Sequence, residues 1–434
     1  MSEITATRIA IKVHFDGSVM GLRFIRHSAL FAVIVALLVA ELLVLLMTPR
    51  SGLITPLPTD AAQWFTPAQL SRAAAFNGLQ LWLGIAALLA KAAVLALIVV
   101  RAPAKLRGPY RHPIIVSGLV GAVISVTVVV ALLPLSALMR VRSLDYGLAT
   151  SSWGEWGWDI ARGAGIAALI AAAATAVAIA LIRKMPRRWW VPASALIVLG
   201  GVLMTFAGPL VIDPIFSRFT PLPDGPARSA VVELAGRAGV KVGSVYVVDA
   251  SRRTTAANAY VVGVGSSKRV VLYDTLLSKF PPAQARLVVA HELAHVHYRD
   301  IPHGLLFLLI VAPFGAWAAA RCLRLWGPHD GLPAGPSSVP ALTAAVILIV
   351  FAITLISNQL SRSIEERADA FALTLTGDAP TFIAQQRRIS IQNLGDPDPP
   401  AITHWLLGTH PTTLERIGIG LAWQRGERPS GGAR

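Results

Sequence analysis

The sequence is short of charge and almost without cysteine. Only 14% of its 434 residues are charged and 54% are hydrophobic, whereas soluble domains carry about a quarter charged residues. This shortage excludes an ordinary soluble protein and favours a chain that crosses a membrane several times. The single cysteine, Cys322, excludes an intrachain disulfide and a cysteine-based zinc site. Because it lies at the end of an apolar run, we expect it to be a buried, inert thiol.

Acidic residues are also scarce. The chain has 23 Asp and Glu against 39 Lys and Arg, which gives a net charge of +16. Such a charge suits either nucleic acid or the anionic headgroups of lipids. The basic residues flank apolar runs and do not interleave with aromatic residues in a groove-like patch. We therefore expect the lipid bilayer as a partner, and no nucleic acid.

Long apolar runs, in contrast, are frequent. A transmembrane helix needs about 20 mainly apolar residues. Seven runs qualify: Ser28–Met47, Leu79–Val100, Pro113–Met139, Ile160–Ile182, Trp190–Val211, Gly304–Cys322 and Ala341–Ser357. The polar tail before the first run is too long and too charged for an ordinary cleaved signal peptide, so we expect that run to remain a span. Glu41 and Lys91 fall inside spans, where a charge normally faces a bundle interior or a wet cavity; snorkelling to the interface is the alternative.

Two regions are polar enough to be water-soluble, residues 213–302 and the tail 358–434. In the first, "GSVYVVD" predicts a short strand and "ANAYVVGVGSSKRVVLYD" predicts a hairpin of two strands. "PPAQARLVVAHELAHVHYRD" predicts a helix that starts at a proline. In the tail, "SRSIEERADAFALTLTG" predicts a second helix ended by Gly377, and the terminal "RGERPSGGAR" is typical of a disordered end.

The stretch "HELAHVHYRD" carries a metal-binding pattern. On a helix, positions i and i+4 share a face, so His291 and His295 can present two imidazoles to one ion. Glu292 lies beside the first histidine and can take a proton from a water molecule activated by the ion. This H-E-x-x-H arrangement is typical of zinc metalloproteases. The alternative is a chance match, which a third ligand would make untenable.

The tail helix offers that ligand. Glu365 and Asp369 are four residues apart and so share a face, where like charges destabilise an isolated helix by a few tenths of a kcal/mol. A metal ion and a histidine N–H would remove the penalty. We predict Glu365 as the third ligand and Asp369 as the acceptor that fixes the tautomer of a ligand imidazole. The alternative is a solvated charged face in which Arg362 and Arg367 supply the ion-pair partners.

Topology agrees with a shared site. Two apolar runs separate His295 from Glu365, and two crossings return the chain to the side that it left. We therefore predict an all-α multi-pass membrane bundle of about seven transmembrane helices, with a small α+β zinc metallopeptidase region at the membrane interface. The predicted regions are a five-span part (1–212), an interfacial metallopeptidase loop (213–302), a two-span hairpin (303–358) and a C-terminal tail with the third ligand (359–434).

These motifs, in this order, resemble the type 1 CAAX prenyl endopeptidases, integral-membrane zinc metalloproteases with seven spans. The resemblance is carried by "HELAH", by "SRSIEERADAFA" after two spans, and by "THPTTLERI". "DPIFSRFTPLPDGPARSAV" and "ANAYVVGVGSSKRVVLYDTLL" are also close to the family's pattern. The likeness runs from about Asp213 to Ile417, whereas the first four spans agree only in number and hydropathy.

The resemblance assigns roles to single residues. It implies one Zn²⁺ per chain held by His291, His295 and Glu365, with Glu292 as general base and Asp369 beside a ligand histidine. His410, in "HP", matches a tail histidine that stabilises the tetrahedral oxyanion; a structural His-Pro turn is the alternative. Four further positions match parts of the family that bind substrate: Asn258, Ala259 and Tyr260 on an edge strand, and Arg416 in "RI". An exposed edge strand can bind an extended peptide by strand addition.

The predicted function is therefore hydrolysis of peptide bonds without a covalent intermediate, by an integral-membrane zinc metalloendopeptidase. An intramembrane protease of the site-2 type would place H-E-x-x-H within a span, unlike this chain. A heat-shock-type metalloprotease for membrane quality control shares the ligand pattern with fewer spans, and is the main alternative. A transporter with an incidental motif is the non-enzyme alternative, and it predicts no metal dependence.

Substrate and sidedness remain open at this level. The substrate is a peptide or membrane protein, and the resemblance suggests a prenylated C-terminus that no residue here demonstrates. We expect a multi-pass protein of the cell membrane, and the oligomeric state is undetermined. The loops "RAPAKLRGPYR" and "RKMPRR", Arg321, Arg324 and the N-terminal tail fall on one face, which the positive-inside rule places in the cytoplasm. The metal site would then face away from the cytoplasm, opposite to eukaryotic members of the family.

Overall fold

The computed structural model describes residues 26–101, 106–263, 268–328 and 333–431. Within them the helices are α1 (Arg26–Met47), α2 (Ala61–Trp64), α3 (Pro67–Val100), α4 (Pro113–Asp145), α5 (Trp153–Lys184), α6 (Trp190–Val211), α7 (Asp213–Phe216), α8 (Pro226–Arg237), α9 (Asp274–Lys279), α10 (Pro282–His297), α11 (Asp300–Trp326), α12 (Val339–Thr376), α13 (Ala379–Gln392), α14 (Ala401–Leu407) and α15 (Thr413–Gln424). The strands are β1 (Phe219–Pro221), β2 (Ser244–Val248), β3 (Ala259–Val262) and β4 (Arg269–Tyr273).

Seven of the helices are long and apolar enough to cross a membrane: α1, α3, α4, α5, α6, α11 and α12. The predicted fold class is confirmed. Several helices extend beyond the apolar runs because their ends are capped by polar residues. Thr66 and Gln69 form a capping box at the start of α3, twelve residues before the predicted run, and Ser152 and Glu155 do the same for α5.

The α4–α5 pair shows how closely two spans can approach where small residues face each other. A side chain at Gly121 on α4 would collide with Thr175 on α5, and Gly118 lies against the backbone of Ala172. The hydroxyl of Thr175 donates to the carbonyl of Ser117 at 3.2 Å. Small residues let the backbones pack at short range, which is a main source of helix association in lipid.

The seventh span and the predicted tail helix are one helix. We predicted a span ending at Ser357 and a separate helix in the tail, but α12 runs from Val339 to Thr376 without a break. No proline or glycine interrupts the sequence there, so helical hydrogen bonding continues after the apolar residues end. The predicted boundary at residue 358 therefore lies inside a helix. Gly377 ends it in a left-handed conformation, φ 70°, as its position predicted.

The polar region between α6 and α11 is built around a four-stranded sheet in the order β1-β2-β4-β3. The predicted hairpin is confirmed: β3 pairs with β4 in antiparallel register, Tyr260 opposite Val271. Its turn falls largely on residues 264–267, outside the described residues. β3 is an edge strand, and α10 packs against the sheet through Val289 and Leu293 in a core shared with Ala259. The sheet thus sets the position of α10.

The C-terminal segment is structured through Gly431, and residues 432–434 lie outside the described residues. We expected the last ten residues to be disordered, but the N–H of Gly52 donates to the carbonyl of Ser430 at 2.6 Å and the N–H of Ser430 donates to Leu53 at 2.9 Å. The expectation failed because composition does not reveal backbone pairing with a segment nearly 400 residues away. The tail therefore fixes the segment that connects α1 with α2.

Candidate active site

Two helices bring the three predicted metal ligands together. His291 and His295 lie one turn apart on α10, and Glu365 lies on the part of α12 that extends beyond its apolar segment. The Nε2 atom of His291 is 3.0 Å from Oε2 of Glu365, and Nε2 of His295 is 3.6 Å from Oε1 of the same carboxylate. One ligand atom from each residue lies within 4.8 Å of the others.

This donor set fits a metal ion. Nitrogen and oxygen ligands bind zinc at about 2.0–2.2 Å, so atoms that share an ion must lie within about 4 Å of one another once it is bound. Two imidazoles and a carboxylate are the three protein ligands of one class of catalytic zinc sites, which leave a fourth position for water or substrate. The arrangement can therefore hold a divalent cation with an open position.

His291 is fixed on its other side by a buried ion pair. Its Nδ1 atom lies 2.9 Å from Oδ1 of Asp369, which is fully buried. Arg416 on α15 donates to both carboxylate oxygens of Asp369, at 2.6 and 2.7 Å. Burial alone would lower the pKa of His291, but its hydrogen bonds with Asp369 and Glu365 outweigh burial and raise the pKa to about 10.

Glu292 stands beside the ligands without being tied to them. No hydrogen bond or ion pair joins its carboxylate to another described side chain, and the residue is partly exposed. Burial of the carboxyl group raises the pKa of Glu292. A carboxylate with a raised pKa and a free face is suited to accept a proton and to give it up again.

The tail brings His410 to the same carboxylate. Nε2 of His410 is 3.5 Å from Oε2 of Glu365, and 58% of its side chain is exposed. The loop that carries it is held to α12: Arg362 donates to the carbonyls of His404, Trp405 and Gly408, and Ser361 donates to the carbonyl of Thr409. His410 is therefore the exposed member of the cluster, facing the open side of the site.

The edge-strand residues lie where the resemblance places them. Ala259 and Tyr260 are on β3, and Asn258 precedes it and accepts the N–H of Tyr273 through its carbonyl. In this antiparallel register Tyr260 bonds to β4, so the main-chain groups of Ala259 and Val261 face away from the sheet. The Asn258 side chain accepts the N–H of Ala259 at 2.9 Å. An outward-facing main chain therefore borders α10.

Arg416 was expected to contact substrate, but its guanidinium is engaged by Asp369 and only 16% of the side chain is exposed. The solvated charged face considered for α12 is contradicted as well. Arg362 binds the carbonyls of the α14 segment, and Arg367 donates to Asp300 at 2.7 Å, so neither pairs with Glu365 or Asp369. Both acidic residues of α12 face the histidines instead.

One residue of the site was not predicted. Oδ2 of Asp300 lies 2.9 Å from Nδ1 of His295. Asp300 ends the quoted motif stretch, five residues after His295, but on a continuous helix that spacing would not put the two residues on one face. The signal that could have found it is an acidic residue placed directly before an apolar run, because such a residue often begins a new helix.

Comparison with known proteins agrees with this geometry. The profile of peptidase family M48 matches residues 221–419, and that of the CAAX prenyl protease N-terminal region, five membrane helices, matches residues 52–218. The uncharacterized metalloprotease YhfN of Bacillus subtilis (strain 168) is 30% identical over 306 residues, which are 68% of this chain and 71% of YhfN. The chain belongs to peptidase family M48. It is a membrane metalloprotease, a hydrolase of peptide bonds.

Other relatives are named as CAAX prenyl proteases. The CAAX prenyl protease 1 homolog of Oryza sativa subsp. japonica is 32% identical, over 50% of this chain and 52% of its own length. CAAX prenyl protease 1 of Saccharomyces cerevisiae is 28% identical, over 48% of this chain and 50% of its own length. The chain thus spans about half the length of these two relatives.

The fold resembles the crystal structure of Ste24p from S. mikatae, with a TM-score of 0.73 and 19% sequence identity over 92% of this chain and 98% of that one. Such a likeness supports the seven-span architecture. Membership of M48 contradicts the transporter hypothesis, and the ligand helix α10 lies outside the spans, unlike an intramembrane site.

Proposed function

We propose that the chain is an endopeptidase with one Zn²⁺ held by His291, His295 and Glu365. The observation that carries this proposal is the convergence of these three side chains on one point, two from α10 and one from the end of α12, with α11 and the apolar part of α12 between them in the chain. A bound zinc ion supplies positive charge that polarises the scissile carbonyl group and makes the attacking water more acidic. Proton transfer, stabilisation of the oxyanion and binding of the substrate are carried out by residues of the chain.

Glu292 is the proton carrier of the proposed reaction. Its free carboxylate accepts a proton from the attacking water and passes it to the leaving amine. Its raised pKa supports the second transfer, because a more basic carboxylate holds the proton until the amine needs it. Gln at this position would keep the shape of the side chain and remove its basicity.

His410 is the proposed donor to the oxyanion. The hydroxyl of Thr409 lies 2.9 Å from Nδ1 of His410. If that hydroxyl donates to Nδ1, the ring proton resides on Nε2, the nitrogen that points towards Glu365. An N–H in this place can stabilise negative charge that develops on the scissile carbonyl oxygen. Arg416 acts through Asp369, by holding the acceptor of His291.

The substrate backbone would lie along β3. Ala259 and Val261 direct their main-chain groups away from the sheet, so an extended peptide can add there as a further strand beside α10. Asn258 and Tyr260 flank this edge. The name CAAX prenyl protease, which two relatives carry, supports substrates with a prenylated CAAX-type C-terminus. The cell membrane is the location that we propose for this multi-pass chain. The matched relatives do not favour the quality-control alternative.

Metal analysis combined with a peptidase assay tests the proposal. Purified parent protein should contain one zinc per chain and cleave an extended peptide. Glu292→Gln should retain the zinc and lose about 10²–10⁴-fold in turnover. Glu233→Gln, a change of the same kind on the exposed face of α8, is the control and should match the parent. Loss of zinc from Glu292→Gln, or full activity in it, would contradict the assigned role.

A further inference from the structure

His295 has a carboxylate of its own. Nδ1 of His295 is 2.9 Å from Oδ2 of Asp300, and the other oxygen of Asp300 accepts a hydrogen bond from Arg367 at 2.7 Å. Only 11% of the Asp300 side chain and 16% of that of Arg367 are exposed. The guanidinium of Arg367, the carboxylate of Asp300 and the imidazole of His295 are thus linked in series by hydrogen bonds. This series ends at Nδ1 of His295, the ring nitrogen opposite the one proposed to bind the metal.

The backbone between α10 and α11 is bent to make this contact. Helix α10 ends at His297, and Arg299 adopts the left-handed conformation, φ 57° and ψ 42°, before α11 begins at Asp300. Non-glycine residues rarely occupy that region. The turn brings Asp300 back towards the last turn of α10, which a continuous helix would not do. The first residue of a membrane-spanning helix is thereby tied to a residue of the site.

Arg367 packs against both Tyr298 and Gly52. Its guanidinium carbon lies 4.0 Å above the ring of Tyr298, and Gly52 packs against its aliphatic part. A side chain at Gly52, which has φ +76°, would stand 3.2 Å from the Tyr298 hydroxyl and 3.4 Å from the Arg367 side chain. Stacking on Tyr298 orients the guanidinium and Gly52 leaves the aliphatic part little room to move, so the hydrogen bond to Asp300 is kept in place.

We propose that Asp300 is a positioning residue for His295 and that Arg367 orients it. The inference rests on the proposed zinc site. An acceptor at Nδ1 keeps the ring proton on that nitrogen and leaves the lone pair of Nε2 towards Glu365, the arrangement that a metal ligand needs. Asp369 and Arg416 do the same for His291, but from α12 and α15. Each imidazole therefore has its own carboxylate and arginine, and one of the pairs connects the site to α11.

Zinc affinity, measured by competition with a chelator, tests the inference without any activity assay. In Asp300→Asn, Arg367 still donates to the remaining oxygen, so the amide NH₂ faces Nδ1 and favours the wrong tautomer of His295. We expect affinity to fall by about 10–100-fold. Arg367→Met, which frees Asp300 to turn away, should also weaken binding. Asp224→Asn, which breaks an exposed ion pair with Arg228, is the matched control and should bind zinc like the parent.

A double-mutant cycle separates positioning from a general effect on folding. Adding Asp300→Asn to His295→Ala should cause no further loss of zinc affinity, because the imidazole that Asp300 orients is already absent. An equal loss in both backgrounds, or parent-like affinity in Asp300→Asn and Arg367→Met, would overturn the inference. A parent protein that binds no zinc would refute the proposed function itself, which is a different outcome from the failure of this step alone.

Discussion

The Nδ1 atom of His291 lies 2.9 Å from the Oδ1 atom of Asp369, although 78 residues separate them in the chain. His291 lies on α10, before α11, and Asp369 lies on the part of α12 that extends beyond its apolar segment. Their contact, together with that of His291 and Glu365, joins the motif helix to the end of the seventh span. The site therefore forms only when both spans are in place and correctly paired.

Asp369→Asn should weaken zinc binding by about 10–100-fold, because the fixed tautomer of His291 depends on a full carboxylate at Nδ1. Arg416, which is largely buried, would also lose one of the two carboxylate oxygens that accept its hydrogen bonds. Chelator competition measures the affinity, and the change should exceed any loss in peptide binding. Unchanged zinc affinity in this variant would show that Asp369 serves only the packing of α15.

His410→Ala should reduce turnover by about 10²–10³-fold, the effect of losing one oxyanion donor in other enzymes. KM and zinc content should stay near the parent values, because 58% of this side chain is exposed and the three ligands lie on other elements. Thr409→Val, which removes the hydroxyl near Nδ1, should give a smaller loss. A rise in KM without a fall in kcat would assign His410 to substrate binding instead.

Zinc affinity should increase with pH by about tenfold per unit between pH 6 and 8 through His291 alone. In the metal-free chain the pKa of His291 is about 10, so this imidazole carries an extra proton throughout that range, and zinc must displace it. Removing this proton costs less free energy as pH rises towards 10, so zinc affinity increases with pH. Calorimetry in buffers of different ionisation enthalpy counts the released protons. A pH-independent affinity would contradict the strongly paired state of His291.

Gly418→Ala should destabilise the protein by about 1–3 kcal/mol, the range for forced overpacking. A methyl group there would run into the carbonyl oxygen of Leu57, whose N–H donates to Gly418 at 3.1 Å. Gly236→Ala on α8 is the control: its added methyl group would meet nothing within 4 Å, and alanine favours helix more than glycine does. Thermal unfolding in detergent compares the two. Equal unfolding midpoints for the two variants would mean that the segment before α2 moves to accommodate the added methyl group.

Labels at Arg107 and Gly243 should be reached from opposite sides of the membrane. The α4–α5 connection lies against the sheet region, since Thr150 donates to the carbonyl of Arg253, so the opposite ends of these helices lie at the far face. Arg107→Cys and Gly243→Cys, each in a Cys322→Ser background, can be labelled with an impermeant reagent. By the positive-inside rule residue 107 should be cytoplasmic. Labelling of both from one side would refute the span count.

Local chemistry made much of the site predictable. The spacing of His291 and His295, the glycine that ends α12, and the hairpin before α10 each follow from rules that act over a few residues. The continuity of α12 was missed because hydropathy marks the edge of the bilayer and not the end of a helix. The pairing of Arg416 with Asp369 was not predicted because nothing in the neighbours of Arg416 shows that a carboxylate 47 residues away binds it.

The sequence by itself determined the number of spans, the identity of the three candidate ligands and the candidate base beside them. Apolar length and residue spacing are properties of a chain segment and need no knowledge of its neighbours. The tertiary structure alone decided which carboxylate serves which imidazole, because a left-handed turn at Arg299 and the packing of α15 and the Gly52 segment set those distances. Such contacts depend on how separate elements pack against each other, and they produce no repeating pattern in the sequence from which they could be predicted.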